Sequence, residues 1–299
     1  MTTTLEPTTR VPGPPAPARS QQPSPPSGAR SRQPERAVTA SGVLRSEWVK
    51  LRSVRSSTMT LLASAGTLLF IGAAAAALNG GLLTASLDEG GAAVEDPTAT
   101  VLGGILLVPL IIGILGVMSI TSEYATGTIR PTMTFVPGRL PVLWSKVAVL
   151  IAVTLPVMVA STLTTFLVGQ WLLGAGDLDV ATATLGDPGV LRAVLGTAAY
   201  LTGIAVIGLA LGTLLRGTAA AISALFALVF LVPVLGSFLL PASIRDDVLL
   251  YLPSNAGTSF TSVVPTPDLL SSGAGGVVFA AWVVVPVLAA AVALRRRPV

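Results

Sequence analysis

Residues 121–146, TSEYATGTIRPTMTFVPGRLPVLWSK, are a polar stretch set between two long apolar runs, and the rest of the chain can be placed relative to it. Glu123, Gly127 and Arg130 fall at i, i+4 and i+7. A helix would therefore stack the acid and the base on one face, with a residue lacking a side chain between them. Pro131 pushes Arg130 toward an extended conformation, so the chain is expected to break there and restart with Pro131 in a first helical turn. Pro137-Gly138 is a second break, ahead of Arg139 and Lys146. The expectation is a short helical elbow at a membrane surface, bounded by turns and carrying paired charge.

That the surface is a membrane follows from composition. Of 299 residues, 52% are hydrophobic and 11% charged, with a mean hydropathy of +0.80, too apolar for a soluble domain of this size. Cys and His are absent. This excludes disulfides, zinc sites of the usual ligand type and any Ser-His or Cys-His nucleophile. Enzymatic activity is not expected.

Six apolar runs, near 58–78, 100–120, 147–172, 191–215, 218–240 and 276–294, each approach the twenty or so residues needed to cross hydrocarbon. None carries a charge near its middle. An all-α, polytopic six-helix protein with both termini on one side is the consequence. Sixteen of the eighteen basic residues lie before the first run, in the 121–146 segment, at Arg216 or in the Arg295–Arg297 tail, and only Arg192 and Arg245 lie on the other side. Both termini and the elbow are therefore expected in the cytoplasm, with the protein in the cell membrane. The Arg295–Arg297 cluster reads as an anchor at headgroup depth.

Residues 1–40 hold nine prolines among Thr, Ser, Gln and Arg, with almost nothing to bury. This reads as a disordered cytoplasmic tail, either without a dedicated partner or with a PxxP docking site, ahead of a membrane domain at 41–299. In SGVLRSEWVKLRSVRS (41–56), Leu44, Trp48 and Leu51 form a stripe away from Arg45, Lys50, Arg52 and Arg55. The pattern fits a helix in the headgroup plane, or a plain basic flank that orients the first span. Near the other end, Ile244–Leu252 reads as a short surface helix and 253–257 as a turn after it, either a lid over an exit path or a covering loop. Gly208-x-x-x-Gly212 permits close helix approach, within the subunit or at a subunit interface.

No G-x-x-x-x-G-K-[ST] phosphate loop is present, and no ionisable residue lies at the centre of a run to relay protons. Uphill movement of a solute would take its energy from another polypeptide, and the 121–146 elbow is the best-furnished place to receive it. Three classes stay open on these grounds: a permease driven by a partner, a self-sufficient secondary carrier or channel, and a membrane anchor recruiting a cytoplasmic protein.

The order Glu123-Tyr124-x-x-Gly127-Thr128-x-Arg130, then Pro137-x-Arg139 and Lys146, directly after a second span, resembles the cytoplasmic loop of ABC-2 type permeases. These are membrane subunits of ATP-binding-cassette transporters. The E-Y-x-x-G-x-x-R part is also similar to that loop in eukaryotic G-subfamily half-transporters. The resemblance covers roughly residues 41–294 and implies a type V exporter-like fold. Two six-helix permeases, a second copy or a paralogue, would face each other above a pair of ATPase subunits, exporting a hydrophobic or amphipathic substrate. It maps a coupling helix onto the elbow (Glu123, Tyr124, Gly127, Thr128, Arg130, Pro137, Arg139) and an interface helix onto Arg45, Trp48, Leu51 and Arg52. Pro131 departs from the leucine- or serine-like residue expected after the arginine. ATP and Mg would sit on the partner ATPase, with no cofactor in this chain and no nucleic-acid partner.

Overall fold

A computed structural model of the protein describes residues 40–53, 55–82, 96–125, 140–176, 178, 180–264 and 269–296. The expected tail at 1–39 and most of the elbow, 126–139, lie outside the described residues. Among the described residues all regular structure is helical. The helices are α1 (Ala40–Ser53), α2 (Arg55–Asn79), α3 (Pro97–Val101), α4 (Val108–Ala125), α5 (Leu140–Gly174), α6 (Val190–Leu215), α7 (Thr218–Phe226), α8 (Val232–Leu239), α9 (Ala242–Leu250), α10 (Pro253–Thr261) and α11 (Ser272–Arg296). A 3-10 turn, Gly103–Leu106, precedes α4, and a π-helical turn, Ala227–Leu231, joins α7 to α8.

Six of these units are long and apolar enough to cross a membrane: α2, α4, α5, α6, the α7–α8 unit and α11. They are helical because hydrocarbon offers no partner to a backbone N–H or C=O, so each must be satisfied within its own segment. The hydroxyls follow the same rule. Thr154, Thr197, Thr202 and Thr213 donate to carbonyls four residues back at 2.8–2.9 Å, which hides polar groups that would otherwise be stranded.

Three boundaries differ from the sequence reading. Span two starts at Val108 rather than near 100, because residues 97–106 form α3 and the 3-10 turn, where Gly104 comes close to Leu68. Span three starts at Leu140 rather than 147, so Lys146 lies inside the helix instead of ahead of it. The stretch read as a turn at 253–257 is the start of α10, with Pro253 in its first turn, where a fixed φ and a missing N–H cost nothing.

Span four is the axis of the bundle, with Leu201, Ile204, Ile207 and Leu209 fully buried. It packs tightest on span two. A Cβ on Gly116 would land on the carbonyl oxygen of Ala205, and one on Gly208 would land on that of Gly113. Both backbones therefore approach to a distance only glycine permits. On the other side of span four, Phe279 of span six sits 5.0 Å from the Tyr200 ring and 5.7 Å from that of Phe260 on α10. Spans one and five leave most of their side chains outside the bundle, including Leu62, Phe70, Phe226 and Phe238.

Candidate functional site

By span parity, α1, the end of span two, the start of span three, Arg216 and the end of α11 share one face of the bundle. Three elements bring charge together there. Span two ends at Ala125, so Glu123 sits in its last turn; Lys146 lies two turns into span three; Glu47 is in the middle of α1. Lys146 Nζ donates to Glu47 Oε2 at 2.6 Å and to Glu123 Oε1 at 2.7 Å, with a long third approach to the Ser119 carbonyl at 3.5 Å. An ammonium has three donors, and all three directions are used. The three side chains are buried, Lys146 to 4% exposure.

Burial raises the consequence of each bond. Removing Lys146 would strand two buried carboxylates at a cost of about 3–5 kcal/mol, whereas removing one carboxylate leaves a paired lysine, and well-packed apolar residues in place of the whole cluster would often be as stable. The cluster therefore contributes specificity more than stability, fixing which helices meet and in what register.

Next along span two, Tyr124 presents its ring to Arg216, whose guanidinium carbon lies 5.8 Å from the ring centroid. Arg216 ends span four in the left-handed region, at φ 56°. Neighbouring residues of one helix thus reach in two directions, Glu123 toward span three and Tyr124 toward Arg216 at the end of span four.

Of the residues the sequence assigned to coupling, Glu123 and Tyr124 lie at this face, while Gly127, Thr128, Arg130, Pro137 and Arg139 lie outside the described residues. Glu123 Oε1 is bonded to Lys146, while Arg130, the base that shares its helix face in the sequence, lies outside the described residues. Of the interface-helix residues, Arg45 and Trp48 are exposed together with Leu44; the side chains of Leu51 and Arg52 lie outside the description. Gly208 and Gly212 face span two within the subunit, where a Cβ on Gly212 would meet Ile120 Cγ2 at 2.7 Å.

Sequence reasoning missed Glu47, and it quoted Lys146 in the motif without giving it a partner. The available signals were that Glu47 is the sole acid within 41–56 and that Lys146 is one of two lysines in the chain.

The opposite face is polar in a different way. Asp96 caps α3 through Oδ1, which accepts from Thr98 N and Ala99 N at 2.9 Å, and its Oδ2 accepts from Val263 N and Val264 N at 3.1 and 3.2 Å. Arg192 donates to the Phe260 and Ser262 carbonyls at 3.2 and 3.1 Å and to the Ser272 hydroxyl. It borders a cavity of about 260 Å³ between α10 and the start of α11. Gln170 holds the neighbouring loop by accepting from Ala183 N at 2.8 Å and donating to the Pro97 carbonyl at 3.2 Å. Among the described residues, no group of three or more His, Cys, Asp or Glu could hold a metal ion.

Six helices long and apolar enough to cross a membrane define the class as a multi-pass membrane protein. Residues 43–234 match the family described as ABC-2 family transporter protein. The chain belongs to that family, and is a membrane permease of an ATP-binding-cassette transporter. The match runs from α1 into span five, so the elements from α9 onward lie beyond it. A search of curated proteins finds no match.

Proposed function

We propose that this chain is the permease half of an exporter, moving a hydrophobic or amphipathic compound with ATP hydrolysed by a separate subunit docked against the 121–146 segment. The observation that carries the reading is the family match over residues 43–234 in a chain whose sequence has no phosphate-binding loop. Sixteen basic residues on the α1 side support a cytoplasmic position for that face and for both termini. The apolar flanks of spans one and five suit lipid or a second permease copy.

In this mechanism, closure of the ATPase pair pushes on the elbow, and spans two and three tilt as rigid bodies, so access alternates between the two sides of the membrane. Nothing in the step requires a bond to form within this chain. The 126–139 segment delivers the push, and Glu123 and Tyr124 at the end of span two receive it.

The test is co-purification in mild detergent followed by reconstitution. A stand-alone P-loop ATPase should co-purify, and lipophilic dye flux should depend on ATP and stop when Gly127→Trp is introduced without loss of membrane insertion. Uphill flux by the chain with no ATPase present would make it a secondary carrier and overturn the proposal.

A further inference from the structure

The α1 helix is held to the bundle in an unusual way. Among its described side chains only Glu47 is buried, while Leu44, Arg45, Ser46, Trp48 and Val49 are all exposed. A helix docked by apolar contact can slide or roll by a residue at little cost. One docked through a buried carboxylate at 2.6 Å from a buried ammonium cannot, because displacement strands the Glu47 carboxylate away from its cation. The same ammonium holds Glu123 at 2.7 Å, two residues before the end of span two and directly ahead of the 126–139 segment.

We propose that Lys146 is a positioning residue that makes α1, span two and span three move as one body, with Glu47 as the buried charged link by which a displacement at the end of span two reaches α1. The proposal rests on the transport reading for the source of that displacement. The clamp itself can be examined without it. Its direct consequence is that α1 follows the transport stroke instead of resting passively at the membrane surface. The apolar face bearing Leu44 and Trp48 is then dragged through the headgroup layer with each cycle.

The chain has no cysteine, so spin labels attach only where one is introduced. Distances between labels at Leu44→Cys and Ser122→Cys, both exposed, would be measured on the full-length chain in phosphatidylcholine–phosphatidylglycerol nanodiscs. They should be narrowly distributed in the parent and in K146R. In E47Q the distribution should broaden, while a Ser122→Cys/Trp144→Cys pair across spans two and three stays narrow. E47Q leaves the Glu123–Lys146 bond in place and so spares the fold. An unchanged Leu44–Ser122 distribution in both E47Q and E47L, the second of which also removes the acceptor that an amide oxygen keeps, would overturn the clamp.

With the co-purified ATPase, ATP should shift both the Leu44 and Trp144 labels relative to one at Leu215→Cys. In E47Q the shift should persist at Trp144 and be lost at Leu44, an effect that a merely stabilising salt bridge would not produce. A Leu44 shift retained in E47Q also sinks the proposal. Absence of any ATP-dependent shift in the parent would count against the transport reading, and the ATP-free comparison would still judge the clamp.

Discussion

At the α1 end of the bundle a lysine is bonded to carboxylates from two other helices, whereas at the opposite end Asp96 and Arg192 direct their charge onto backbone amides and carbonyls of residues 260–264. The first arrangement depends on the identity of every partner, since each side chain is needed by another. The second depends mainly on the charged residue, because apart from the Ser272 hydroxyl its partners are backbone groups. One end of the molecule therefore specifies which helices meet, and the other specifies where a loop is pinned while leaving its side chains free to vary.

The comparison breaks most sharply at Lys146. K146M should cost about 3–5 kcal/mol by leaving two carboxylates without their buried cation. Thermal unfolding in detergent checks this, and replacing Glu47, Lys146 and Glu123 together by Leu, Met and Leu should recover most of the loss. At the opposite end, D96A removes a helix cap and the oxygen that accepts two cross-loop amides, about 2–3 kcal/mol in sum. It should be read as faster hydrogen exchange at the Val263 and Val264 amides. R192K should lose about 1 kcal/mol, because a point ammonium cannot span three acceptors that a planar fork reaches together.

The smallest effect is expected at Arg216. Its left-handed backbone favours glycine by about 1 kcal/mol, similar to what the Tyr124 ring contact contributes. R216G should accordingly be more stable than R216A and close to the parent. An R216A variant as stable as R216G would show that the backbone conformation carries no strain.

The six crossings were legible because hydrocarbon imposes a length and a composition that no other environment demands. Their ends were less so. Leu140–Lys146 looked like loop because it contains Pro141 and a charge, yet Lys146 is neutralised by residues 23 and 99 positions away, pairings that no local pattern announces. The outward stripe on α1 was visible in Leu44 and Trp48, while the inward-facing Glu47 was hidden beside them as one acid among many bases. At Pro253 the same residue type that ends helices begins one. Proline alone does not distinguish the two uses.

Span two, at 18 residues, is about 27 Å long, slightly less than a typical hydrocarbon core, while the 35 residues of span three reach about 52 Å. The short crossing is more than half covered by its neighbours and the long one overshoots on its own. Lipids of different acyl-chain length would therefore press mainly on the outer crossings, and the protein should tolerate thicker or thinner bilayers without the stress reaching the element that adjoins the elbow.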